Sequence, residues 1–181
     1  MSRFPYPARS RAVLMGVSHF PESPGLADLP AVKENVAGLW RRLTHSGTGV
    51  LAPEHCEVAD PAASTDLGRA IGRAADEATD LLLIYYAGHG LVDDWGRLYL
   101  ATHATQSQAP KCSALDVGLL REDLGGSGAA ARVLILDCCF SGRAIEVMAG
   151  GDGAGRGTTL HRRHLHDRVH HGQRPFLRDG R

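Results

Sequence analysis

The sequence predicts an α/β domain built on a mainly parallel sheet with helices on both faces. Residues 81–87 (LLLIYYA) and 133–136 (VLIL) are continuous apolar runs without polar alternation, the pattern of strands covered on both sides. Other stretches carry apolar residues at helical spacing, and strands that alternate with helices pair in parallel through crossovers.

In chain order, residues 11–17 (RAVLMGV) form a short apolar run that ends near glycine and serine, a buried strand. Asp28 and Pro30 give helix-start signals, and Val32, Val36, Leu39, Trp40 and Leu43 then mark an amphipathic helix over residues 31–44. Trp40 reads as a core anchor of that helix. A weak strand covers 56–59. Ser64 or Thr65 is positioned to cap a second helix whose stripe is Leu67, Ile71, Ala74, Ala75 and Ala78. A local strand is expected at 97–101, a helix at 115–124 carrying Leu115, Leu119, Leu120 and Leu124, and a further helix opening at 142–148.

Composition narrows the function classes. The 181 residues suit one domain with a real core. Twenty Lys and Arg balance twenty Asp and Glu, so no global field draws the chain to nucleic acid or an anionic membrane. No segment approaches the roughly 18 apolar residues of a membrane span, and the N-terminus has no signal-peptide core, so a cytoplasmic location is expected. The four cysteines form no CxxC pair and no disulfide framework; free thiols follow, with Cys56 and Cys112 as ordinary buried or half-buried residues.

The chemistry gathers where the two apolar runs stop. The first ends in GHG with His89, the second in DCCFSG with Cys138 and Cys139. Ligands of open parallel sheets bind outside the carboxyl ends of the strands, so His89 and Cys139 belong on one rim. A cysteine sulfur is a strong nucleophile and a histidine can move its proton. The oxyanion needs backbone donors, for which the amides of Gly90 and Cys139 are available. Each motif alone also reads structurally, GHG as a tight turn and the cysteine as a small core residue; their combination favours catalysis. A metal site on His89, Cys138 and Cys139 is the chemical competitor, but adjacent cysteines chelate one ion poorly and no fourth ligand stands near.

YYAGHG followed by LILDCCFSG resembles the caspase-like cysteine peptidases, peptidase family C14, particularly the metacaspase and bacterial orthocaspase branch. Cys139 lies 50 residues after His89, and caspases carry their histidine about 50 residues upstream of the nucleophile. LMGVSHF and LPAVKENVAGLW extend the resemblance over residues 11–148. It implies a three-layer, Rossmann-like caspase fold and a cysteine endopeptidase acting on protein or peptide substrates without a cofactor, with a dyad of His89 and Cys139. By the same resemblance Asp137, two before the nucleophile, lines the P1 pocket, and a buried anion calls for a basic P1 residue. A second pocket acid of metacaspases corresponds here to Asn35, which leaves the pocket less negative. Asp93 and Asp94 follow GHG; calcium activates some metacaspases, but this spacing reads better as a solvated turn.

The ending departs from the family. Residues 150–181 are rich in Gly, Arg and His and show no apolar period, so a peptidase domain over 1–149 and a disordered tail over 150–181 are expected. The C-terminal strands of the family are missing from the apolar pattern, as in a truncated or frame-shifted ending. His161, His164, His166, His170 and His171 admit a metal-binding tail, and a solvated tail is the simpler reading. The alternative function is a truncated or inactive caspase-like module acting through protein–protein interaction.

Overall fold

A computed structural model of the chain describes residues 5–139 and the backbone of residues 158–162. The expected helix at 142–148 lies outside the described residues. Five parallel strands form the main sheet: β1 (Arg11–Gly16), β2 (Cys56–Ala59), β3 (Leu81–Ala87), β7 (Ala131–Asp137) and β8 (Thr158–Arg162), in the order β2-β1-β3-β7-β8. A small antiparallel sheet, β4 (Gly90–Val92), β5 (Leu98–Leu100) and β6 (Leu115–Asp116), stands in the order β4-β5-β6. The helices are α1 (Ala31–Leu43), α2 (Ser64–Glu77), the short α3 (Pro110–Ser113) and α4 (Val117–Gly126).

The period of two sorts the strand residues into two cores. Ala12, Leu14, Leu83, Tyr85 and Ala87 face α1 with Val32 and Val36. Val13, Met15, Leu82, Ile84, Tyr86, Leu134 and Leu136 face the other way, onto Leu67 and Ile71 of α2 and Leu120 and Leu124 of α4. Three layers result, a caspase-like α/β sandwich. All seven residues of β3 are buried, which is why its sequence shows no polar alternation. Each fully buried Leu or Ile there contributes about 1.5–3 kcal/mol.

Several elements differ in detail from their sequence signals. The N-cap of α2 is Ala63, not Ser64 or Thr65; the Asp66 carboxylate accepts the Ala63 N–H at 3.1 Å and supplies the terminus with its acceptor. Residues 115–124 are not one helix. Leu115 pairs with Leu100 in the small sheet, and Asp116 caps α4 by accepting from the Gly118 N–H at 2.7 Å. The helical stripe is therefore Val117, Leu120 and Leu124, and Leu119 is 55% exposed. Cys112 is exposed. Asp28 does not cap α1; it meets His19 Nδ1 at 2.7 Å.

The sheet also runs one strand further than the apolar pattern signals, since the backbone of β8 pairs with β7 from Arg132↔Thr158 to Leu136↔Arg162. A ladder is held by main-chain N–H and C=O groups, which any non-proline sequence supplies. No helix among the described residues is long and apolar enough to cross a membrane.

Candidate active site

The β3–β7 register decides what meets at the rim. Ala87 stands opposite Asp137 at the ends of adjacent parallel strands, which lie about 4.8 Å apart. Gly88 N–H donates to the Asp137 carbonyl at 3.3 Å, so the pairing continues one residue past the strand. His89 and Cys139 each stand two residues beyond that pair, on the same rim of neighbouring strands.

His89 is held on both its ring and its backbone. Nε2 lies 2.8 Å from the Ala27 carbonyl oxygen. A carbonyl only accepts, so Nε2 carries a hydrogen, and it is Nδ1 that presents the lone pair when the imidazole is neutral. The imidazole also packs on Phe20 with ring centroids 4.7 Å apart, tilted at 56°. The His89 carbonyl accepts from Ala101 N–H at 3.0 Å and Tyr86 Oη at 2.9 Å. The Tyr86 hydroxyl lies 2.8 Å from the Ala101 carbonyl as well, so its single hydrogen is shared between two acceptors. Burial, reinforced by Cys138, keeps that phenol well above its ordinary pKa.

Gly90 opens β4 opposite Leu100. Because Ala101 N–H donates to the His89 carbonyl one step away, Gly90 and Leu100 are a non-hydrogen-bonded pair, and the Gly90 N–H points away from β5. A Cβ at Gly90 would overlap the Cys139 carbonyl oxygen and lie 3.2 Å from Cys138 Sγ. Only glycine permits this approach.

The adjacent thiols differ. Cys138 is 5% exposed in the core shared with α2 and α4. Burial, and next Cys139 and Asp137, push its pKa up to about 12. Cys139 is exposed at the rim. Asp137 is buried and accepts from the Tyr85 hydroxyl at 3.2 Å, on the α1 side of the sheet. Asn35 lies exposed on α1. Among the described residues no group of three His, Cys, Asp or Glu side chains is placed to hold a metal ion. Cys138 Sγ is buried against Gly90, whereas Cys139 is exposed.

The acidic pair after GHG is a turn, as its spacing indicates, but Asp93 is not solvated. Its side chain is 7% exposed. It accepts from the N–H groups of Trp95 and Arg97, from the Arg97 guanidinium at 2.8 Å and from the Tyr99 hydroxyl at 3.0 Å. Partial desolvation opposes its ionisation, but these hydrogen bonds outweigh it and hold the carboxyl below the usual range. Gly96, at φ 80°, closes the turn.

Sequence reasoning missed Phe20, the Ala27 carbonyl, Tyr85, Tyr86 and Ala101. A carbonyl carries no sequence signal, and the tyrosines are indistinguishable from other apolar strand residues until the faces are known. An apolar groove of about 500 Å³ between α1 and β2 includes none of His89, Gly90, Asp137 or Cys139 in its lining.

No curated protein matches the chain. The family model of the caspase domain, peptidase C14, matches residues 9–173, running past Met148 into the Gly/Arg/His-rich ending. With strands, rim and sequence motifs in agreement, the chain belongs to the caspase-domain family of cysteine peptidases.

Proposed function

We propose that this chain is a cysteine endopeptidase of the metacaspase and orthocaspase branch, cleaving protein or peptide substrates after a basic residue. The observation that carries the reading is the Ala87–Asp137 register, from which His89 and Cys139 both follow at the same remove. The Cys139 thiol gives its proton to His89 Nδ1 and attacks the scissile carbonyl carbon. Negative charge gathers on the carbonyl oxygen, towards which the amides of Gly90 and Cys139 donate. The C–N bond then breaks as His89 returns the proton to the leaving amine, and water, deprotonated by His89, hydrolyses the thioester. No cofactor enters these steps.

Asp137 selects the basic P1 side chain. Its burial and its Tyr85 partner keep the carboxylate oriented, and a cationic guest offsets the cost of a desolvated anion. Four free cysteines suit a reducing compartment, and we place the protein in the cytoplasm.

The experiment is hydrolysis of fluorogenic peptides with Arg, Lys or Asp at P1, with Cys139→Ala as control. Turnover of the Arg and Lys peptides that vanishes in Cys139→Ala is expected. Equal rates for wild type and variant would remove the peptidase reading and leave an interaction module; turnover confined to P1 Asp would remove the role of Asp137 alone.

A further inference from the structure

The contacts that orient His89 come from a loop without regular structure, residues 17–29, and something must fix that loop. Phe20 and the Ala27 carbonyl both belong to it. Its base is pinned by Val17 N–H on the Ala87 carbonyl at 2.9 Å and Leu29 N–H on the Ser18 carbonyl at 2.8 Å. Between these points it is held by residues 101–107. His103 Nδ1 lies 2.8 Å from the His19 carbonyl, beside Phe20. Ser23 Oγ donates to the Thr105 carbonyl and accepts from Ser107 N–H at 2.8 Å.

His103 is in turn gripped by the loop after β2. Its Nε2 lies 2.6 Å from Asp60 Oδ1, and its backbone N–H and that of Ala104 donate to the Pro61 and Ala62 carbonyls. The His19 carbonyl only accepts, so Nδ1 donates to it. The same short segment reaches His89 from behind through the Ala101 N–H.

We propose that His103, steered by Asp60, is a positioning residue for the peptidase: it fixes the loop whose Phe20 ring and Ala27 carbonyl orient the His89 imidazole. Its catalytic consequence rests on the function proposed above; the positioning contact does not. Nothing in the motifs GHG or DCCFSG points to it. The consequence is specific. Losing the Nδ1–H donor lets the 17–29 loop drift, and the His89 lone pair turns from the sulfur without altering the pocket at Asp137. A misplacement of about 1 Å costs up to roughly a hundredfold in rate.

The test compares His103→Phe, which keeps the ring without its donors, with His103→Asn, whose amide can reproduce the Nδ1–H bond. Expected for His103→Phe is a fall in kcat of roughly ten- to a hundredfold with KM unchanged, largely restored by His103→Asn. In the NMR spectrum the His89 Nε2–H resonance, protected by Ala27, broadens in His103→Phe and persists in His103→Asn. Leu120→Ala in the α4 core serves as a control for general destabilisation. Unchanged kcat and an unchanged resonance in His103→Phe would overturn the proposal, as would equal effects in Leu120→Ala. Should His103→Phe not fold, Asp60→Asn carries the same measurements, with a smaller loss expected and the same overturning result. If wild type cleaves no peptide, the proposed function fails, while the resonance still decides the contact.

Discussion

Gly90 and Cys139 approach so closely that a single methyl group on the glycine would overlap the cysteine's carbonyl oxygen. The second glycine of GHG and the turn bearing the thiol are thus one packing unit, although 49 residues separate them (139 − 90). Substitution at Gly90 therefore tests stability and site geometry together. Gly90→Ala is expected to cost about 1–3 kcal/mol by overpacking, read as a shift in the denaturation midpoint, and to depress peptide hydrolysis. Gly72→Ala in α2, where an added Cβ meets nothing within 4 Å, is expected instead to stabilise by about 0.5–1 kcal/mol. Equal effects at the two sites would remove the packing explanation.

The four thiols should separate by reactivity. Cys139 and Cys112 are exposed, whereas burial pushes Cys56 up to about 11 and Cys138 up to about 12. Brief treatment of the native protein with iodoacetamide near pH 8, followed by peptide mass spectrometry, is expected to label Cys139 and Cys112 and spare the other two. Labelling of Cys138 at a rate comparable to Cys139 would mean that the strand end is open rather than packed.

Those buried thiols also set an alkaline limit. The folded pKa of Cys138 lies above the ordinary thiol value near 9, so above pH 9 the unfolded chain gives up a proton that the folded chain keeps. Stability is fully present below that pH and falls between about 9 and 12, by up to about 1.4 kcal/mol per pH unit for this group. Cys56 acts in the same direction up to about 11. Denaturant midpoints from pH 8 to 10.5 are expected to decline, and less steeply in Cys138→Ala; a parallel decline would assign the effect elsewhere.

Tyr85 and Asp137 form the polar contact beneath the proposed specificity pocket. Tyr85→Phe removes the donor and is expected to cost about 1.5–3 kcal/mol, the range for a hydrogen bond to a charged group. Asp137→Asn is expected to reduce kcat/KM for P1 Arg by about tenfold or more while leaving the rate of Cys139 alkylation unchanged, since the bound P1 cation loses its buried partner. An unaltered Arg preference in Asp137→Asn would assign P1 selection to other residues.

The local pattern of residues carried much of this fold. Unbroken apolar runs identified β3 and β7 as strands covered on both faces, because nothing polar survives where helices pack on either side. Helical spacing located α1 and α2, the strand-end motifs named His89, Gly90 and Cys139 as candidates, and the family resemblance added Asp137. Legibility failed where an element owes its existence to a distant partner. Leu115 reads as helical until Leu100 claims it as a strand partner, and β8 pairs through its backbone without an apolar pattern.

By itself, then, the order of residues determined which segments must be buried and which reactive groups end them, since periodicity and side-chain chemistry are local properties. That β3 and β7 are direct neighbours with Ala87 opposite Asp137, that Ala27 and Phe20 orient the imidazole, and that His103 reaches across to hold them was decided only by the tertiary structure. Those relations depend on strand order, register and backbone carbonyls, and groups far apart along the chain become neighbours only when the sheet assembles.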